Sequence, residues 1–119
     1  MLDTIKLGSG DRVAVIGGWC DVLASTFSGM GAEVRCLEGG LDTLRRNSEF
    51  LRSARLITVL GLERRVASSA IEYVTELGVL NALLITDVPA NALSPVHTVV
   101  ILEGGSRVTL YVYMLRGGS

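Results

Sequence analysis

The sequence is poor in the residues from which metal sites and nucleophilic catalytic sites are built. Its 119 residues include one histidine, His97, and two cysteines, Cys20 and Cys36. A structural metal site usually takes four cysteine or histidine ligands, and a cysteine nucleophile usually needs a histidine as its base. We therefore predict no metal site and no catalytic residues, and the sequence leaves open whether the protein is an enzyme.

Long apolar runs and an excess of positive charge are also absent. No stretch reaches the ~18 uninterrupted apolar residues of a membrane-spanning helix, and residues 1–6 lack the apolar core of a secretory signal. The 11 basic and 12 acidic residues give a net charge of −1. The composition thus provides no positive footprint for nucleic acid, and we expect a cytoplasmic protein without membrane or nucleic-acid partners.

The two cysteines are predicted to be unbonded, because a cytoplasmic protein normally keeps its thiols reduced. Cys36 falls inside the second predicted strand, and Cys20 lies just beyond the end of the first. Strands rise ~3.3 Å per residue, so we expect the two cysteines to lie more than ~10 Å apart, beyond the reach of a disulfide.

Apolar residues, in contrast, are abundant: they make up 49% of the chain, with a mean hydropathy of +0.46. Short, mainly apolar segments typical of strands lie at 13–16, 34–37, 56–60 and 82–86. Segments with the three- and four-residue spacing of amphipathic helices lie between them, at 22–30, 42–54 and 66–77. Strands and helices therefore alternate, as in a parallel sheet whose strands are buried on both faces.

The alternation stops after the fourth strand. Residues 88–96 contain Pro89 and Pro95, and this segment is too short for a helical crossover, which needs a dozen or more residues. The remaining elements read as a β-hairpin: a strand at 98–102, a tight turn at 103–106 and a strand at 107–115.

Together these elements predict a single α/β domain over residues 1–119, with a three-layer Rossmann-like architecture. Its mostly parallel sheet has four βα-linked strands and ends in an antiparallel β-hairpin. We expect the strand order 3-2-1-4, with the hairpin extending the edge at strand 4. Residues 117–119 are expected to fray.

The last strand is apolar on both faces, which is unusual for a strand at a sheet edge. One face carries Tyr111 and Tyr113, residues of the kind that suit an interface. We therefore predict a homo-oligomer, in the simplest case a homodimer, joined through this hairpin. The alternative is that a helix of the same chain covers the tyrosines.

A ligand of an open parallel sheet binds beyond the carboxyl ends of the strands, where the strand order reverses, and here we expect that point between strands 1 and 4. Glycines let a ligand approach the backbone, an acid after strand 2 can bind ribose hydroxyls, and a tryptophan can stack on a flat ligand. The candidate ligand-binding residues are Gly17, Gly18, Trp19, Glu38, Gly39, Gly61 and Asp87.

Structural alternatives stay open for these residues. The glycines could serve only to make sharp turns, Glu38 could be a solvated loop carboxylate, and Trp19 could pack the helix against the sheet. The glycine pattern of dinucleotide-binding domains is absent, because Trp19 and Val22 occupy two of its three glycine positions.

The run at 11–18, followed by a helix and the strand at 34–38, resembles the opening of class I methyltransferases. That resemblance implies that Gly17, Gly18 and Glu38 hold S-adenosylmethionine. The layout is also similar to a heavy-metal-chelation family of Rossmann-like domains, which Gly17, Glu38 and Gly61 match. Both resemblances imply a Rossmann-like fold.

We interpret the chain as a small binding domain for a nucleotide-like or anionic small ligand, whose identity, including that of any cofactor, the sequence does not specify. Two alternatives remain: a structural or regulatory homo-oligomerisation domain, and a transferase that uses a nucleotide-like cofactor. Fold alone does not assign a reaction.

Overall fold

The computed structural model describes residues 7–90 and 93–116. The expectations for residues 1–6 and 117–119 therefore lie outside the described residues. That residues 1–119 form a single domain stays a prediction.

A six-stranded mixed sheet forms the centre of the fold. Its strands are β1 (Arg12–Gly17), β2 (Glu33–Leu37), β3 (Ala54–Leu60), β4 (Leu80–Thr86), β5 (His97–Glu103) and β6 (Ser106–Arg116). The first four strands are parallel, and β6 runs antiparallel to both β4 and β5. The prediction of an α/β fold is confirmed.

Four helices connect the parallel strands: α1 (Cys20–Ser28), α2 (Leu41–Arg46), α3 (Ser48–Ser53) and α4 (Arg64–Glu76). The single helix predicted at 42–54 is in fact two short ones, separated at Asn47. The Asn47 side chain donates to the Thr43 carbonyl at 2.8 Å and accepts from Arg35 at 2.9 Å. No helix in the described part of the chain is long and apolar enough to cross a membrane.

The predicted strand order 3-2-1-4 is wrong, because the observed order is β2-β1-β3-β4-β6-β5. The third strand lies beside the first, on the side opposite the second. The strand order therefore reverses between β1 and β3, and the predicted position between strands 1 and 4 is wrong as well. The hairpin does extend the β4 edge, as expected.

The burial of β2 and β3 explains this order. In β3 every residue except Arg55 is buried, which requires a neighbouring strand on each side and cover on both faces. In β2 the charged Glu33 and Arg35 are exposed, as is typical of an edge strand. The fold therefore places β3 in the interior of the sheet, where its apolar residues are buried, and β2 at the edge, where its charged residues are exposed to solvent.

Helices pack against the two faces of the sheet. Phe27 of α1 belongs to a core cluster with Val13 and Val15 of β1. Val74 of α4 belongs to a second cluster, on the opposite face, with Ile57 of β3. Right-handed crossovers produce this division, because the chain steps one way from β1 to β2 and the other way from β2 to β3 and β4.

The prediction of unbonded cysteines is wrong: Cys20 and Cys36 form a disulfide, with their Cα atoms 5.9 Å apart. The expectation assumed that the chain continues in line with the first strand. Instead Trp19 takes a left-handed conformation, with φ 69°, and α1 folds back over the sheet. Cys36 pairs with Val15 in the β1–β2 register, so its side chain faces α1.

The disulfide also removes one argument for location. Disulfides are rare in the cytoplasm except in hyperthermophiles. The cytoplasmic location stays a prediction, and the cysteines no longer support it.

The prediction of an interface through both tyrosines is wrong for Tyr113, which is 1% exposed within its own chain. Its hydroxyl accepts a hydrogen bond from the Ala90 N–H at 2.8 Å. The connection after β4, through Val88, Ala90 and Leu93, packs against the same core cluster as Tyr111. The loop after β4 and residues of α4, among them Ile71 and Val74, thus belong to the same cluster as the tyrosine face, and homo-oligomerisation itself stays a prediction.

Replacing Tyr113 by Phe tests this contact. The change leaves the Ala90 N–H without its partner, and we expect the free energy of unfolding to fall by about 1 kcal/mol in urea titrations. Tyr111→Phe, the same change on the same face of β6, is the matched control. Equal effects of the two substitutions would show that the hydrogen bond does not stabilise the fold.

The disulfide has its own test. It closes a loop with a sequence separation of 16, and a loop of about this length is expected to contribute ~3 kcal/mol to stability. A reductant should therefore lower the urea midpoint of the native protein. The double variant Cys20→Ser/Cys36→Ser should unfold at that lower midpoint whether or not reductant is present. A native protein that does not respond to reductant would contradict the bond.

Candidate functional site

A hollow of about 370 Å³ lies at the carboxyl ends of β1 and β2, beside the loop that follows β3. It is lined by Gly17, Cys36, Leu37, Glu38, Gly39 and Leu62. It thus lies next to the reversal of strand order between β1 and β3, where open parallel sheets bind their ligands. Three of the seven predicted site residues, Gly17, Glu38 and Gly39, meet there.

Gly17 is a position where only glycine fits. Its φ is 94°, in the left-handed region, and a Cβ atom there would overlap the Leu60 carbonyl oxygen and lie 2.7 Å from Leu62 Cγ. The Leu60 oxygen has little freedom to move, because it accepts the Gly18 N–H at 2.7 Å. The sharp-turn explanation of this glycine is therefore correct, and the same turn leaves its backbone at the wall of the hollow.

Leu62 shapes the floor of the hollow. A Cβ atom on Gly39 would lie 2.7 Å from Leu62 Cδ1 and 2.9 Å from Val66 Cγ1. The Leu62 side chain therefore extends between Gly17 and Gly39, and both glycines are needed to accommodate it. The sequence analysis did not select Leu62, whose one signal is that it is apolar in a loop otherwise made of glycine and charged residues.

Glu38 is the one charged side chain in the lining of the hollow. It is exposed and follows the end of β2. Cys36, two residues earlier, is bonded to Cys20 at the start of α1. The disulfide therefore ties the strand that presents Glu38 to the helix that begins after Trp19. The selection of site residues missed Cys36 and Leu37.

Gly18 and Gly61 bring two backbones together rather than lining the hollow. A Cβ atom on Gly61 would lie 3.4 Å from the Gly18 Cα. Trp19 is 44% exposed and does not line the hollow, and its contact with a flat ligand stays a prediction.

Asp87 lies in a neighbouring hollow of about 350 Å³, which it lines with Leu62, Arg64, Val88 and Pro89. Its Oδ2 accepts the Gly61 N–H at 3.0 Å, while its Oδ1 is buried without a hydrogen-bond partner in the structure. Asp87 thus connects the end of β4 to the loop after β3. Leu62 separates this hollow from the one at Glu38.

The groups around these hollows can bind a small ligand. Within residues 7–90 and 93–116, no cluster of three or more histidine, cysteine or acidic side chains could hold a metal ion. The thiols nearest Glu38 are joined in a disulfide. A carboxylate, backbone groups and leucine side chains are suited to hydrogen bonding and apolar contact with a small ligand.

No protein-family model matches the sequence, and a search of curated protein sequences finds no match. The structure, however, is similar to solved methyltransferases. The B. subtilis m1A22 tRNA methyltransferase TrmK aligns with a TM-score of 0.64 at 16% identity, over 98% of this chain and 65% of that one.

Two further structures give the same picture. The N-methyltransferase NodS from Bradyrhizobium japonicum aligns at a TM-score of 0.59 and 10% identity, over 97% of this chain and 89% of that one. M. capricolum TrmK, solved with S-adenosyl-homocysteine, aligns at a TM-score of 0.54 and 9% identity, over 98% and 68%.

These neighbours are named as methyltransferases, and one was solved with S-adenosyl-homocysteine, in agreement with the methyltransferase-like opening of the sequence. At such identities the likeness establishes the fold alone. The resemblance to a heavy-metal-chelation family is not supported. The chain spans just under two thirds of the length of B. subtilis TrmK.

Gly17→Ala tests the geometry of the hollow. The new methyl group would overlap a backbone oxygen at a left-handed φ, and we expect a loss of at least ~2 kcal/mol in the free energy of unfolding. Gly29→Ala is the control, because Gly29 has φ −62° and a Cβ atom there meets nothing closer than 3.4 Å. A Gly17→Ala protein as stable as the control would contradict this backbone geometry.

Proposed function

We propose that this chain is a Rossmann-like domain that binds a nucleotide-like cofactor, S-adenosylmethionine or its product S-adenosylhomocysteine, in the hollow beside Glu38. The observation that carries the proposal is the pairing of Gly17, a position restricted to glycine, with a carboxylate at the end of the adjacent strand. The fold shared with methyltransferases, one of them solved with S-adenosyl-homocysteine, supports it.

Glu38 supplies the polar recognition. A carboxylate can accept hydrogen bonds from two neighbouring hydroxyls, and an acid at the end of the second strand is placed to bind a ribose diol in this way. Glu38 is exposed, and no residue in the described part of the chain forms an ion pair with it within 4.0 Å. Its oxygens are therefore available to a ligand.

Leu37 and Leu62 supply apolar contact. They line the same hollow as Glu38, and an apolar wall beside one oriented polar group is the usual design of a small-ligand site. A volume of about 370 Å³ is at the lower end of the ~300–1,000 Å³ of such sites. The hollow fits the nucleoside part of the cofactor, and the rest would extend past Leu62.

Gly17 supplies close approach of the backbone. Its missing side chain leaves room for Leu62 and the Leu60 carbonyl oxygen at the wall of the hollow. The three-layer arrangement predicted from the sequence belongs to this proposal, and the packing of α1 and α4 against opposite faces supports it.

A methyl-transfer reaction is the second candidate function, because the structural neighbours are methyltransferases. Such a reaction needs the same cofactor site together with an acceptor. The homo-oligomerisation alternative rests on the hairpin edge, where Val100 and Leu102 are 52% and 75% exposed.

Binding of S-adenosylhomocysteine, measured by isothermal titration calorimetry and by thermal stabilisation, tests the proposal. We expect binding to the native protein and a roughly 10- to 100-fold weaker affinity for Glu38→Gln, because charge-assisted hydrogen bonds contribute ~1.5–3 kcal/mol. Trp19 lies near the hollow, so its fluorescence provides a second readout.

Glu72→Gln, the same change on the exposed surface of α4, is the control and should leave the affinity unchanged. Absence of binding by S-adenosylmethionine, S-adenosylhomocysteine and adenosine would refute the proposal. Binding that does not depend on Glu38 would place the ligand elsewhere and refute the assigned site.

A further inference from the structure

A third hollow, of about 390 Å³, lies away from the proposed cofactor site, at the start of β1 and along the edge strand β2. It is lined by Arg12, Arg35, Arg46, Asn47, Ser48, Glu49 and Phe50. The three arginines come from β1, β2 and α2, so the fold gathers them from separate parts of the chain. Phe50 is the one apolar residue in the lining.

Two of the guanidinium groups are held in place over one aromatic ring. The Arg35 and Arg12 Cζ atoms lie 4.3 and 5.3 Å from the centroid of the Phe50 ring. Arg35 also donates to Asn47 Oδ1 at 2.9 Å, and Arg12 donates to Ser53 Oγ at 2.8 Å. Both groups are therefore oriented before any ligand arrives, which lowers the entropic cost of binding.

The acidic residues present do not balance this positive charge. Within the described residues the one ion pair closer than 4.0 Å joins Arg12 to Glu33, at 3.0 Å. Arg35 and Arg46 have no carboxylate within that distance, and Glu49 is the one acid in the lining. Like charges held together in this way repel one another unless an anion lies between them.

Arg35 and Arg46 donate hydrogen bonds to neutral groups, and several of their N–H donors have no partner among the described residues. A guanidinium has five N–H donors in a planar fork, whereas the Arg35 side chain makes one hydrogen bond, to Asn47, among the described residues. The Arg46 Nε donates to the Asp42 carbonyl at 3.3 Å. The remaining donors of these groups, with the Ser48 hydroxyl, surround a hollow that has the size of a small ligand.

We propose that this hollow binds a phosphate group. The fork of a guanidinium matches two phosphate oxygens, and the guanidinium groups of Arg35 and Arg46, which form no ion pair among the described residues, can together neutralise a doubly charged anion. The phosphate could belong to a nucleic-acid backbone or to a small phosphorylated molecule. This inference does not rest on the cofactor site, which lies at the other end of β1.

Two probes distinguish the sources. Fluorescence anisotropy measures binding of a labelled single-stranded oligouridylate at several salt concentrations, and calorimetry measures binding of pyrophosphate. The variants are Arg46→Gln, which leaves the Phe50 stack intact, and Arg35→Gln/Arg46→Gln. The control is Arg65→Gln/Arg107→Gln, which removes the same charge at exposed positions that do not line the hollows described above.

We expect the double variant to bind at least one probe roughly tenfold more weakly than the native protein, with the control unchanged and the single variant in between. For the oligonucleotide, the slope of log K against log salt should shrink by roughly 1 to 2, since two phosphate contacts are lost. Loss of oligonucleotide binding alone would identify a nucleic-acid backbone, and loss of pyrophosphate binding would identify a small phosphate.

Either result supports the phosphate site. An equal loss of affinity in the control would show that net charge, rather than this hollow, attracts the probes and would overturn the proposal. Absence of binding of both probes at ~50 mM salt, where phosphate contacts are strong, would overturn it as well.

Discussion

The close approach of two backbones, β1 to β3, is the constraint on which the rest of the structure depends. Where these strands end, the Gly18 N–H donates to the Leu60 carbonyl at 2.7 Å, and Gly61 lies against Gly18. A side chain at the preceding Gly17, whose Cβ atom would overlap the Leu60 oxygen, would separate the strands. This pairing of β3 with β1, on the side opposite β2, puts the reversal of strand order between β1 and β3. It also brings Leu62 against Gly17, which gives the hollow beside Glu38 its floor.

The sequence predicted the elements well because each is determined locally. Short, mainly apolar segments identified the four parallel strands, and helical spacing identified α1 and α4. The order of the strands depends on which of them is buried on both sides. That information was present: Glu33 and Arg35 interrupt β2, whereas the run at 56–60 contains no charge. This contrast in charge indicates that β2 lies at the edge of the sheet and β3 in its interior.

Other features could not be predicted because they depend on the path of a single turn. The disulfide between Cys20 and Cys36 exists because Trp19 adopts a left-handed conformation and turns α1 back over β1 and β2. A tryptophan in that conformation is uncommon, and the residues beside it in the sequence do not indicate that it adopts one. Likewise, the role of Leu62 depends on its contacts with Gly17 and Gly39, which are distant from it in sequence. The glycines and Glu38 could therefore be selected from the sequence, whereas Leu62 could not.

The net charge of the chain does not show how its charged residues are arranged on the surface. A net charge of −1 argues against a general positive surface, and the expectation of no nucleic-acid partner rested on that sum alone. The fold nevertheless places Arg12, Arg35 and Arg46 around one hollow, while Glu72 and Glu76 lie together beside a different groove, at α4. Charges of opposite sign that cancel in the total are therefore separated in space, and local electrostatics decides what each surface can bind.

The disulfide connects the packing of the domain to the proposed cofactor site. Cys36 lies two residues before Glu38, and Cys20 follows Trp19. A covalent bond therefore joins the strand that carries Glu38 at its end to the start of α1. A loop that is already ordered loses less entropy when a ligand binds. A domain of this size with short loops at its site can therefore hold the Glu38 carboxylate near Gly17 without a larger supporting structure, and the bond that stabilises the fold also restricts the segments that carry the site.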